Sequence, residues 1–89
     1  MKCTLIIEYH LQGERQKVVL PCSSKAEARR IVAENLTHDF QYCPLEKIDH
    51  NGTIAQDRQN PMRFRFTGTD VRFSSEKSDE YIHYQITSP

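Results

Sequence analysis

The chain has 89 residues, of which 20 are leucine, isoleucine, valine or phenylalanine, a share just above the roughly 20% below which disorder is expected. We therefore expect one small folded domain over residues 1–89, with a modest hydrophobic core. Twelve basic residues balance twelve acidic ones, so the composition excludes a strongly basic module whose whole surface attracts nucleic acid or acidic membranes.

The start of the chain has the pattern of a β-hairpin. Apolar and polar residues alternate from Cys3 to Leu11, which is typical of a half-buried strand. Gln12-Gly13 can then turn the chain into a second strand that ends at residues 21–23. A two-residue turn places apolar residues opposite one another on one side: Ile7 with Val18, Leu5 with Leu20 and Cys3 with Cys22.

A helix is predicted after this hairpin. Ser24 and Glu27 form a capping box, in which the serine hydroxyl and the glutamate carboxylate each satisfy one free amide of the first helical turn. Apolar residues then recur at three- and four-residue spacing, and the pattern ends near Thr37 or His38. The residues of this apolar stripe are Ala28, Ile31, Val32 and Leu36. One stripe buries one side, so we expect the helix to lie across one face of a sheet.

Residues 45–58 predict a second hairpin around Asn51-Gly52, which is the strongest short hairpin signal in the chain. A two-residue turn would put Ile48 and Ile54 on opposite faces. A three-residue loop over residues 50–52, with its glycine in the left-handed conformation of a bulge, pairs the two isoleucines. We therefore expect the bulge.

Further strands are predicted in the last third of the chain. After a break at Asn60-Pro61, phenylalanines alternate with arginines, and Gly68-Thr69-Asp70 is expected to turn the chain into a strand over residues 71–73. A polar loop over residues 74–80 leads to a last strand, Tyr81–Thr87. The inward residues of this last strand are Ile82, Tyr84 and Ile86.

The order of elements predicts an α+β fold. It has a ββα start followed by three to four further strands, with one helix packed on one face of a mainly antiparallel sheet.

The sequence also bears on the cellular location of the protein. No apolar run approaches the ~18 residues needed to span a bilayer, and the apolar stretch at residues 5–7 is much shorter than the ~7 to 15 residues of a signal-peptide core. The cysteines, Cys3, Cys22 and Cys43, are odd in number and lack a Cys-x-x-Cys spacing, which favours a reducing environment over a disulfide framework. We therefore expect a cytoplasmic protein with no membrane partner.

Arginines mark the candidate site. If the phenylalanines of the last third face the helix, Arg63, Arg65 and Arg72 project together from the opposite face of the sheet, with Tyr81 and His83 on the last strand. This basic and partly aromatic face suits a protein interface, because the arginine fork grips carboxylates. It also suits single-stranded nucleic acid, because guanidiniums bind phosphates and rings stack on bases. The third interpretation is a merely solvated face, since the outer side of a sheet has to carry polar residues.

Catalytic and metal sites have weaker support in the sequence. Cys43, with His38 and Asp39 nearby, is the best candidate for a nucleophile, but it lies in no catalytic motif. A zinc site would have to combine His38 and Cys43 with Cys22 or His50, and the sequence has no Cys-x-x-Cys or His-x-x-x-His spacing. Each glycine is used by a predicted turn rather than by a phosphate-binding loop, so we expect no cofactor and no metal.

The sequence therefore predicts a non-enzymatic protein-binding module of the small inhibitor, immunity or adaptor type, acting through the arginine-rich face. The alternatives are weak binding of single-stranded nucleic acid through the same face and a cysteine-dependent enzyme. An exposed edge strand would also allow two copies to pair, which leaves a homodimer open.

Overall fold

The architecture is that of a computed structural model, which describes residues 2–42, 45–61 and 63–88, with the backbone alone for residues 40–42. This part of the chain forms one helix and seven strands, so five strands follow the helix where three to four were predicted. In chain order the elements are β1 (Cys3–Leu11), β2 (Glu14–Cys22), α1 (Lys25–Tyr42), β3 (Lys47–His50), β4 (Ile54–Gln56), β5 (Phe64–Phe66), β6 (Asp70–Ser74) and β7 (Tyr81–Thr87). The predicted α+β class is confirmed.

Five strands form the main sheet in the order β2-β1-β7-β6-β3, and every neighbouring pair is antiparallel. Helix α1 packs on the face that carries the alternate apolar residues of these strands. The buried core of this sheet and the helix consists of Cys3, Leu5, Ile7, Cys22, Ala28, Val32, Ala33, Leu36, Val71, Phe73, Ile82, Tyr84 and Ile86. The predicted inward side of β7 is confirmed. The described residues form no helix that is both long and apolar enough to cross a membrane.

The first hairpin has the predicted register. Its two turn residues, Gln12 and Gly13, have φ angles of 54° and 79°, the left-handed pair that a type I′ turn requires. Burial is less complete than expected, because Val18 is 36% exposed. β2 is the outermost strand of the sheet, so one of its sides has no neighbouring strand. The predicted pairs that the structure confirms are Cys3 with Cys22, Leu5 with Leu20 and Ile7 with Val18.

Helix α1 begins as predicted, with a small change in its cap. The Ser24 hydroxyl accepts a hydrogen bond from the Glu27 amide at 3.1 Å. The Glu27 carboxylate accepts hydrogen bonds from the amide of Ser23, at 3.4 Å, and from the hydroxyl of the same residue. The carboxylate therefore reaches one residue further back than the capping box predicts, and it still satisfies an amide before the first turn.

The helix ends later than predicted, at Tyr42 rather than near Thr37 or His38. The apolar stripe stops at that point, but a tertiary contact holds the next turn. Asp39 is buried, and the hydroxyl of Tyr84 in β7 donates a hydrogen bond to its carboxylate. The helix therefore continues past the end of its apolar stripe, because the polar residue Asp39 fastens the next turn to the sheet.

The predicted hairpin around Asn51-Gly52 is wrong. β3 pairs with β6, which places Ile48 opposite Phe73, and β4 pairs with β5, which places Ile54 opposite Phe66. Residues 47–56 therefore run beside residues 64–74 as one interrupted antiparallel ribbon. The chain reverses between β4 and β5, where the amide of Asp57 donates to the carbonyl of Arg63 at 2.8 Å.

Long-range hydrogen bonds account for this difference. The Asn51 side-chain oxygen accepts from the amides of Thr69, at 2.8 Å, and Asp70, at 3.0 Å, while its amide group donates to the Thr69 hydroxyl at 2.9 Å. The predicted turn at Gly68-Thr69-Asp70 is wrong for the same reason. Both turn-like segments lie side by side and form the interruption in the ribbon.

Beyond this interruption the ribbon leaves the main sheet. β4 and β5 form a separate two-stranded sheet, and β5 packs against α1. Phe66 is buried and joins the same core as the residues under the helix. A groove remains between α1 and β5.

Candidate functional site

The groove between α1 and β5 has a volume of about 570 Å³. The helix lines it with a stripe at three- and four-residue spacing, which lies beside the stripe that enters the core and shares Ala33 with it. The hairpin end of the ribbon lines the other wall. The lining residues are Ala26, Arg29, Arg30, Ala33, Glu34 and Thr37 from the helix, and Asp57, Arg63, Phe64, Arg65 and Phe66 from the ribbon.

The apolar part of the groove consists of small helix residues and two phenylalanines. Ala26 and Ala33 have short side chains, so the helix surface is shallow there. Phe66 is buried and Phe64 is half-buried, which leaves part of an aromatic ring accessible. A shallow apolar surface of this kind accepts an aliphatic or aromatic side chain.

The charged part of the groove has an excess of arginine. Four arginines and two carboxylates line it. Arg30 forms an ion pair with Glu34 at 2.8 Å, one helical turn away, and the Nε of Arg29 donates to the carbonyl of Gly68 at 2.9 Å. The Asp57 carboxylate accepts a hydrogen bond from the amide of Gln59 at 2.9 Å.

Arg63 and Arg65 differ from these residues. Both are exposed, and neither guanidinium forms an ion pair or a hydrogen bond within residues 2–42, 45–61 and 63–88. They are two positions apart in an extended segment, so their side chains leave the same side of it with a spacing of about 7 Å. Both residues line the groove and are exposed.

The other three predicted site residues lie elsewhere. Arg72, Tyr81 and His83 are on the face of the main sheet opposite the helix. The Arg72 guanidinium lies 4.5 Å from the centre of the Tyr81 ring, and the Nε2 of His83 lies 3.1 Å from both carboxylate oxygens of Asp70. The ring of His10 lies in an edge-to-face arrangement with the same tyrosine ring, with 5.7 Å between the ring centroids.

The predicted single face is therefore corrected to two separate places. Arg63 and Arg65 line the groove beside the helix, while Arg72, Tyr81 and His83 form a cluster whose members contact residues of the protein itself. The prediction assumed that β5 and β6 belong to one sheet. They belong to two, because the ribbon is interrupted between them.

The residues proposed for catalysis are only partly within the described chain. Cys43 lies outside the described residues. The His38 Nδ1 lies 3.7 Å from an oxygen of Asp39, and burial raises the pKa of the Asp39 carboxyl, although hydrogen bonds from Tyr84 and His38 oppose this change. Asp39 therefore serves the packing of the helix on the sheet through its contact with Tyr84.

The remaining cysteines and histidines are dispersed. Cys3 and Cys22 are buried opposite one another as free thiols, and burial is the main factor that raises the pKa of Cys22. His50 is exposed in β3. Within the described residues, no three side chains of histidine, cysteine, aspartate or glutamate are grouped so that they could hold a metal ion.

Sequence reasoning identified the two groove arginines but not the groove. The helix wall went unrecognised, although Ala26, Ala33 and Thr37 at helical spacing beside the core stripe are a signal for a shallow second face. The position of β5 against the helix has no such signal, because it depends on contacts between residues 18 or 19 positions apart.

In comparisons with known proteins, no family model matches the chain, no curated protein matches its sequence and no solved structure matches its fold.

Proposed function

We propose that the chain is a non-enzymatic protein-binding module, of the small inhibitor, immunity or adaptor type, that binds an acidic segment of a partner protein in the groove between α1 and β5. The observation that carries the proposal is the pair of exposed arginines, Arg63 and Arg65, which line the groove and whose guanidiniums form no ion pair or hydrogen bond among the described residues. A guanidinium binds a carboxylate through two parallel hydrogen bonds, and such charge-assisted bonds are stronger than neutral ones.

The spacing of the arginines defines the ligand more closely. An extended peptide also places alternate side chains on one side about 7 Å apart. A segment with acidic residues at positions i and i+2 therefore matches Arg63 and Arg65. An apolar residue of the same segment that enters the groove would contact the exposed part of Phe64, as anchor residues do in protein interfaces.

Binding is favoured over catalysis by the state of the carboxylates in the groove. Glu34 is paired with Arg30, and Asp57 accepts a hydrogen bond from the adjacent turn. General acid–base chemistry needs a group within reach of the substrate and able to exchange its proton. Because both carboxylates of the groove already have partners within the protein, the groove is better suited to binding than to proton transfer. We further propose a cytoplasmic location, which the free thiols of Cys3 and Cys22 support.

A peptide-binding experiment tests the proposal. The probe is a fluorescently labelled peptide of alternating glutamate and leucine, titrated with the protein at physiological salt and followed by anisotropy. We expect saturable binding, and we expect the double variant Arg63→Ala/Arg65→Ala to lose at least about tenfold in affinity, equivalent to 1.4 kcal/mol. The matched control is Arg15→Ala, which removes an exposed arginine in β2 outside the groove and should leave the affinity unchanged.

Two results would contradict the proposal. Equal binding by the double variant and the parent protein would show that the groove arginines take no part. Tighter binding of an oligothymidylate, with a loss of about 0.7 log units per log unit of salt for each phosphate contacted, would instead favour the nucleic-acid alternative.

A further inference from the structure

The outer edge of β2 is available for pairing with another strand. β2 is the outermost strand of the main sheet and, among the described residues, pairs only with β1. It has 9 residues, which is longer than the typical strand of about five or six. An exposed edge of this length presents a row of backbone donors and acceptors to solvent.

The register of the hairpin shows which groups point outwards. In a two-residue hairpin the residues that flank the turn, here Leu11 and Glu14, exchange both backbone hydrogen bonds, and every second pair does the same. The amides and carbonyls of the intervening residues, Arg15, Lys17 and Val19, therefore point to the free edge. Pro21 belongs to this outward set, and its missing amide lies on the side where proline is tolerated.

Two neighbouring side chains of this edge are large, apolar and exposed. Val18 is 36% exposed and Val19 is 54% exposed, and they are the large hydrophobic residues that the described chain leaves exposed. Successive residues point to opposite faces of the sheet, so one valine lies on each face. A strand added to this edge would cover both.

We propose that a second copy of the chain occupies this edge, so that two β2 strands pair antiparallel about a two-fold axis at Val18 and the two five-stranded sheets become one. In this register Val18 faces Val18 of the second copy, and Lys17 faces Val19 of the second copy. No like charges face one another, and within each copy Glu8 lies opposite Lys17 on the neighbouring strand. The edge can therefore pair with itself without placing like charges directly opposite one another.

Two neighbouring registers also keep side chains of the same face together across the two copies, with the axis at Lys17 or at Val19. Both are less favourable than the axis at Val18. An axis at Lys17 would place two ammonium groups opposite one another, which is destabilising. An axis at Val19 would keep only about four backbone hydrogen bonds, because Pro21 lacks an amide and the chain leaves the sheet beyond Cys22. The axis at Val18 allows about six, since Lys17 and Val19 exchange bonds in both directions and the amide of Arg15 donates to the carbonyl of Pro21.

A pair of adjacent substitutions tests both the dimer and its register. Val18→Glu places two carboxylates opposite one another at the axis, whereas Val19→Glu places each carboxylate opposite Lys17 of the second copy. The two variants carry the same charge at neighbouring exposed positions. In sedimentation equilibrium we expect the parent protein to rise from 10.4 kDa towards about twice that mass with concentration. We expect Val18→Glu to weaken association at least tenfold and Val19→Glu to leave it unchanged or strengthen it.

Hydrogen exchange of the unmodified protein provides a test that needs no variant. The amides of Lys17 and Val19 should gain protection as the concentration rises, while the amide of Arg72 in the interior of the sheet should not change. A protein that stays at 10.4 kDa at millimolar concentration would overturn the proposal. So would equal association of the two glutamate variants, or a concentration dependence of exchange that spares β2.

Discussion

Gly52 and Gly68 lie so close together that a Cβ atom added to Gly52 would be 2.5 Å from both the Cα and the nitrogen of Gly68. This contact is at the interruption of the ribbon, where the chain leaves the main sheet for the helix. Only glycine allows two backbones to approach in this way. The position of β5, and with it the wall of the groove that carries Arg63 and Arg65, therefore depends on this pair.

Substitution of Gly52 by alanine is expected to lower the free energy of unfolding by about 2–4 kcal/mol. Two effects add. Gly52 has a φ of 64°, which is unfavourable for alanine, and the new Cβ would overlap backbone atoms that have no side-chain freedom to move. Urea unfolding followed by far-ultraviolet circular dichroism measures the loss.

Gly13→Ala is the matched control for this prediction. Gly13 has a φ of 79°, but an added Cβ would meet nothing within 4 Å. Its substitution should lower the free energy of unfolding by only about 1 kcal/mol, the strain of a left-handed backbone at alanine. If the two variants were equally stable, the close approach of Gly52 and Gly68 would not constrain the fold.

The first hairpin shows when sequence is sufficient to predict structure. The turn residues and the alternation of apolar side chains are local, and both indicate the register that pairs Cys3 with Cys22. A one-residue shift would exchange the faces of the strand. The turn residues and the alternation of side chains therefore predict the same register independently.

The interruption of the ribbon shows where sequence reasoning fails. Asn51 and Gly52 have the local preferences of a hairpin turn, but the Asn51 side chain bonds to the amides of Thr69 and Asp70 instead. A partner 18 or 19 positions away leaves no local pattern. The two-sheet arrangement, and the division of the arginines between two surfaces, depend on such long-range contacts, the bonds of Asn51 and the approach of Gly52 to Gly68 among them.

Replacement of Ser24 by alanine is expected to destabilise the protein by about 1 kcal/mol, because the amide of Glu27 loses the hydroxyl that caps the first turn of α1. Thermal or urea unfolding measures the change. Ser24→Asp restores an acceptor at the same position and should recover most of the loss. If alanine and aspartate gave the same stability, the hydroxyl would not act as a cap.

Asp39 and Tyr84 make the stability of the fold depend on pH. Burial raises the pKa of the Asp39 carboxyl above its ordinary value, and the hydrogen bond from the Tyr84 hydroxyl is the leading opposing effect. A carboxyl with a raised pKa in the folded state favours folding most in its protonated form. Its contribution is therefore complete below the unfolded pKa of about 4 and is lost as pH rises through the folded pKa.

We expect Asp39→Asn to remove this loss. The free energy of unfolding of the parent protein should fall relative to that of Asp39→Asn as pH rises from about 4 towards neutrality, because asparagine carries no charge to bury and still accepts the tyrosine hydrogen bond. Tyr84→Phe should do the opposite and cost about 1–3 kcal/mol at neutral pH, because the buried carboxylate loses the hydrogen bond from the tyrosine hydroxyl. Urea unfolding of the three proteins at a series of pH values measures both effects. A parent protein and an asparagine variant with parallel pH profiles would show that the carboxyl of Asp39 ionises equally well in the folded and unfolded chains, against the role that its burial beside Tyr84 assigns to it.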